Sequence, residues 1–115
     1  MAGVRILVEQ RKDNPHLRTY YTNILISRSI NGPLTFHKPG FGILTPVQRY
    51  QLGVTGSDLL SFLFTYQCFD KLVLGARSLE VTKGGLYNAD NVDLVVLDVL
   101  QTVIGLADNI SYSRT

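Results

Sequence analysis

Between Val47 and Phe69, two stretches alternate apolar and polar residues in steps of two. In Val47–Val54, Arg49 and Gln51 fall on one side and Tyr50, Leu52 and Val54 on the other. In Leu59–Phe69, Ser61, Thr65 and Gln67 oppose Phe62, Phe64 and Tyr66, and Thr55–Asp58 between the two stretches has the composition of a turn. Side chains of a strand point alternately to opposite faces. The spacing therefore predicts two antiparallel strands, apolar on one face and polar with few charges on the other. Leu63 and Phe69 interrupt the polar side.

The rest of the chain extends this picture. Val4–Glu9 reads as a first strand and Gln10–His16 as a polar turn. Arg18–Ile30 reads as a long strand with Thr19, Tyr21, Asn23 and Ser27 on one face and Tyr20, Ile24 and Ile26 on the other. Asn31-Gly32-Pro33 is a tight-turn signal. Leu34–Lys38 predicts a short strand with Leu34 and Phe36 inward and Thr35 and His37 outward, and Pro39–Gly42 a link. Leu72–Leu74 and Arg77–Thr82 are further strands, followed by a turn at Lys83-Gly84-Gly85. Then the period changes. Val92, Val95, Val96, Val99, Val103 and Leu106 recur at helical spacing between Asp90 and Ala107, with Leu100 and Ile104 widening the stripe. Asn88 or Asp90 can cap this helix, Asp90 and Asp93 suit its positive end, and Gly105 can bend or end it. The expectation is a single α+β domain over 1–115: strands over about 4–82, an antiparallel meander opened by an N-terminal hairpin, closed by a helix over about 89–108.

A chain of 115 residues can bury roughly two thirds of its unfolded surface, and 45% apolar with 17% charged residues is a globular composition. No apolar run approaches the ~20 residues of a membrane span, and Met1–Arg5 lacks the opening of a signal peptide, so no membrane partner is expected. The net charge of +2 is uneven: ten Lys/Arg against five Asp/Glu up to Tyr87 give +5, and Asp90, Asp93, Asp98 and Asp108 against Arg114 follow. A basic body suggests an anionic partner as readily as ordinary surface charge. Lone Cys68 permits no internal disulfide and reads as a buried thiol of a reducing compartment. His16 and His37 have no partners at ligand spacing, so neither metal nor cofactor is expected. No phosphate-loop, dinucleotide-loop or nucleophile-elbow pattern occurs. The chain reads as no enzyme.

A sheet of five strands is about 24 Å wide, whereas one helix with its side chains spans about 10–12 Å. One helix cannot roof an apolar face bearing Tyr20, Ile24, Ile26, Phe36, Leu52, Phe62, Phe64 and Tyr66. A homodimer with helices swapped over a continuous sheet would supply the missing cover; a small sandwich or barrel closing on itself is the alternative. The polar face then offers a platform for single-stranded or looped RNA, with Arg49 meeting phosphate, Tyr21 or His37 stacking on bases, and Gln51, Thr65 and Gln67 beside them. Solvated outward residues of an ordinary sheet give the same pattern.

The hairpin at Val4–Ile30, the run Pro33–Lys38 leading to Arg49-Tyr50-Gln51-Leu52, the strand at Phe62–Phe69 and the stretch Asn88–Asp108 together resemble the coat proteins of single-stranded RNA phages, the leviviruses. The resemblance is one of layout and size over nearly the whole chain. It implies a capsid protein that dimerises through joined sheets, self-assembles into a shell in the host cytoplasm, and holds genomic RNA on the inner sheet face of the virion. Arg49, Gln51, Thr65 and Gln67 would map to inward positions near RNA, and the loops Asn31–Pro33, Pro39–Gly42 and Thr55–Asp58 to contacts between dimers. The alternative is a small dimeric α+β binding or inhibitor protein, of phage or bacterial origin, without RNA. A small-ligand or hydrolytic enzyme would require a pocket and a reactive Cys68.

Overall fold

In the computed structural model, residues 3–29, 31–38 and 42–114 are described. The chain runs β1 (Val4–Gln10), β2 (Leu17–Thr22), β3 (Leu34–His37), α1 (Pro46–Leu63), β4 (Phe69–Leu74), β5 (Ser78–Lys83), α2 (Ala89–Ile104) and β6 (Ala107–Arg114). The strands form one six-stranded sheet in the order β3-β4-β5-β2-β1-β6. All neighbours are antiparallel except β1 and β6, which are parallel. The fold is α+β, with a mixed sheet in place of an antiparallel meander, and its last element is a strand rather than a closing helix.

The expected hairpin is present: β1 pairs with β2 through Ile6↔Thr22 to Gln10↔Arg18. Alternation is obeyed in β2 and β3. Tyr20 is fully buried and Tyr21 exposed, and Phe36 is buried between exposed Thr35 and His37. β2 stops at Thr22, well before the expected Ile30, which lies outside the described residues. The segment after it leaves the ladder and bonds elsewhere, Ile26 N–H donating to Ala76 O and Arg28 N–H to Leu52 O. The turn at Asn31-Gly32 forms with both residues at positive φ, and the Gly32 N–H donates to Ser29 O. The expected link at Pro39–Gly42 lies mostly outside the described residues.

The largest correction concerns Val47–Val54 and Leu59–Phe69. Up to Leu63 they are α1, not strands, and the expected turn at Thr55–Asp58 lies inside that helix; only Phe69 enters a strand. Thr45 caps α1: its hydroxyl accepts from Gln48 N–H while the Gln48 side chain accepts from Thr45 N–H, and Pro46 follows at the first helical position. Gly53, at φ 78 and ψ −178, breaks α1 into two pieces. Val47, Tyr50, Val54 and Phe62 are exposed while Gly56 and Ser57 face inward, so the apolar residues do not form one stripe, and the steps of two in Val47–Val54 arise without a strand. Leu52, Leu59, Leu60 and Leu63 nonetheless point into the core.

α2 follows its sequence pattern. Asn88 caps it, its side chain accepting from Asp90 N–H, and Gly105 ends it at φ 106. Val92, Val96, Val99 and Leu100 are buried, whereas Leu106, expected on the stripe, lies beyond the helix and is 82% exposed. Both helices lie on one side of the sheet, and their buried side chains merge with Ile6, Val8, Tyr20, Leu72, Leu79 and Val81 in a single core. The roof expected from a second subunit is therefore supplied within the chain by α1. Two helices side by side reach about 20–24 Å, a little short of six strands at ~4.8 Å spacing. The shortfall falls at β6. Tyr112, level with buried Val8 on the helix side, is 64% exposed.

Candidate interaction surface

Among the described residues, none forms a second layer on the side of the sheet away from the helices. Register places its residues in rows across the strands. One row runs Thr35, Val73, Glu80, Thr19, Glu9 and Ser113. The next holds Ser78, Tyr21, Leu7 and Ser111. At its centre Leu7 and Tyr21 face each other across β1 and β2, and they are 38% and 40% exposed. Arg5 and Asn109 flank this pair on one side, and His37, Lys71 and Thr82 occupy the opposite corner. An aliphatic–aromatic pair ringed by hydrogen-bonding side chains is the composition of a contact surface. Its charges are balanced, Arg5 and Lys71 against Glu9 and Glu80.

The six residues expected to meet RNA are divided between opposite sides of the molecule. Tyr21 and His37 are on the open face. Arg49 and Gln51 are on α1, in the helix layer, because the stretch that holds them is helical. Thr65 and Gln67 follow α1 in the turn to β4: the Thr65 hydroxyl donates to Phe62 O, and the Gln67 carbonyl accepts from Lys38 Nζ at 3.1 Å. The platform expected from alternation is thus not continuous.

The interior holds a polar cluster that sequence reading missed. Arg18 on β2 and Asp93 on α2 form a buried ion pair at 2.9 Å, and the Tyr20 hydroxyl donates to the other Asp93 oxygen. Asp93 is therefore no mere helix-terminus acid, and Arg18 is no part of a basic surface. Burial raises the Asp93 carboxyl above its usual value, opposed by the Tyr20 hydrogen bond and the Arg18 charge. Burial, with the Asp93 bond and charge, drives the Tyr20 phenol far out of titration range. With two donors on one carboxylate the cluster fastens α2 to β2. The sequence signal was available: Arg18 shares the inward face with Tyr20, and Asp93 sits beside Val92 in the apolar stripe.

Cys68 is buried just before β4, and burial pushes its thiol up, which leaves little thiolate for nucleophilic chemistry. Among the described residues no group of three or more His, Cys, Asp or Glu side chains could hold a metal, and no helix is long and apolar enough to cross a membrane. No family model, no curated protein and no solved structure matches the chain.

Proposed function

We propose that the protein is a small, non-enzymatic binding protein that works as a homodimer, its two sheets joined at β6 and its open faces forming one surface for a partner. The observation that carries this reading is the contrast between the two edges of the sheet. β3 is four residues long and lies between Pro33 and Lys38, features that discourage further pairing. β6 is eight residues long, without proline or lysine, and extends past the helix roof.

A two-fold axis at Ser111 makes β6 complementary to itself. Antiparallel pairing about that point sets Ile110 against Tyr112 of the second copy, twice, on the uncovered helix side. It sets Asn109 against Ser113 on the open side and brings Asp108 towards Arg114 at each end. Opposed apolar and opposite-charge pairs of this kind stabilise strand pairing. The joined open faces place two Leu7–Tyr21 pairs on one surface. Their balanced charge suits a protein partner better than a polyanion, because Glu9 and Glu80 would repel phosphate.

Size-exclusion chromatography with light scattering tests the dimer. The expected mass is about twice 12.8 kDa, with Ser111→Cys chains crosslinking through position 111 under mild oxidation while buried Cys68 stays unreacted. A monomer at high micromolar concentration, or no crosslink, overturns it. The coat-protein resemblance leads further, to dimers assembled in a shell around RNA, with Tyr21 and His37 as the stacking residues of the open face. Void-volume particles carrying nuclease-protected RNA would establish that outcome.

A further inference from the structure

The break in α1 creates a cleft on the helix layer, on the other side of the molecule from the open sheet face. Its volume is about 440 Å³, and it is lined by Arg28, Arg49, Gly53, Val54, Ser57 and Asp58. We propose that this cleft binds a phosphate dianion, free or as a phosphomonoester.

Three independent features converge there. First, Gly53 at φ 78 starts the helix anew, so Val54–Leu63 presents a fresh N-terminal turn to the cleft. Such a turn offers N–H groups and the positive end of a dipole. Thr45 and Asn88 cap their helices with side chains, but glycine has none to offer its own. Second, Ser57 is 5% exposed and its hydroxyl has no hydrogen-bond partner, although it lines the cleft. A buried donor without an acceptor calls for one, and an oxyanion supplies it.

Third, two arginines line the cleft, and among the described residues neither is in an ion pair. Arg28 is held in place at three points. Its N–H donates to Leu52 O at 2.9 Å, its guanidinium carbon stands 4.9 Å from the centre of the Tyr50 ring, and its stem packs on Gly53. A Cβ at Gly53 would come within 2.8 Å of that stem, so the glycine serves both the turn and the approach of the arginine. Two arginines with a helix N-terminus form the usual recognition set for phosphate. Among the described residues Asp58 is the one carboxylate at the rim and weakens the site, which gives the proposal a signed control.

The test is a titration of the whole protein with inorganic phosphate, followed by amide and guanidinium NMR shifts against sodium chloride of equal ionic strength. Saturable shifts are expected at Val54–Ser57, Arg28 and Arg49. Arg28→Gln and Arg49→Gln, both at exposed positions, should each weaken binding by roughly tenfold, the loss of a charge-assisted contact. Ser57→Ala should weaken it less, and Asp58→Asn should tighten it. Phenyl phosphate then distinguishes a monoester site from one that takes only the free ion, and either result supports the proposal. Shifts reproduced by chloride, or saturable shifts indifferent to both arginine variants, overturn it.

Discussion

α1 and α2 lie side by side on one sheet and bury leucines and valines in the same core, yet only one of them is visible in the apolar pattern. α2 is unbroken, and its inward positions recur at three and four. α1 has a break at Gly53, and Val47, Tyr50, Val54 and Phe62 project outward around it. Its inward positions Leu52, Gly56, Ser57, Leu59, Leu60 and Leu63 keep helical spacing, but Gly56 and Ser57 bring no apolar side chain to it. Periodicity reports a helix only while apolar residues fill its inward face and polar ones its outward face. The helices also differ in how they are fastened. α2 is tied to β2 by a buried ion pair, whereas α1 has no ion pair among the described residues and is held by leucine packing and by the Arg28 N–H bond to Leu52 O.

The largest expected effect tests that difference in fastening. Arg18→Met removes the cation and leaves Asp93 buried and charged, at a cost of about 3–5 kcal/mol at neutral pH. Without the guanidinium, the Tyr20 hydrogen bond is left to oppose burial by itself, so the folded pKa of the carboxyl rises further above the unfolded value. The folded chain then holds the proton more tightly than the unfolded chain. Stability lost at neutral pH should return as the pH falls through the raised value, and be fully restored below the ordinary carboxylate range. Urea midpoints at neutral and mildly acidic pH measure this, and a loss that deepens on acidification would contradict the ion pair. No surface charge on α1 should show such a return.

Next come Leu60→Ala in α1 and Leu100→Ala in α2, both fully buried. Each should cost about 2–5 kcal/mol, since each leaves a cavity in the same core. Denaturant unfolding checks whether the values are comparable; a near-zero cost for Leu60→Ala would mean that α1 is no part of the roof. The smallest effect is at the break. Gly53→Ala forces a Cβ into a glycine-only backbone region, at about 1–3 kcal/mol, while an alanine at exposed Asp98, inside α2, should be nearly neutral. Thermal unfolding of the two variants compares them directly.

Much of the sheet was legible. The alternation of Thr19, Tyr20, Tyr21 and of Thr35, Phe36, His37 gave the correct faces, because each stretch lies in a strand covered on one side only. The stripe from Val92 to Val103, with Asn88 before it and Gly105 after it, gave α2. What failed was the middle of the chain, where steps of two in Val47–Val54 outweighed a stronger local signal. Thr45-Pro46-Val47-Gln48 is a capping box with proline at the first helical position, and Leu59, Leu60 and Leu63 have helical spacing. With α1 read as strands, the roof looked incomplete, and Arg49, Gln51, Thr65 and Gln67 were assigned to a sheet face they do not share. β6 was hidden for a different reason. Its residues are mostly polar, and its place in the sheet depends on a parallel partner, β1, a hundred residues away in sequence, which no local pattern encodes.

The self-supplied roof is tested most directly by backbone NMR of residues 46–63 in dilute solution. Helical carbon shifts on both sides of Gly53, with slowly exchanging amides at Leu59, Leu60 and Leu63, are the expected result. Extended-chain shifts over Val47–Val54 and from Leu59 to Leu63 would contradict it, and would return the sheet to needing its cover from a second subunit.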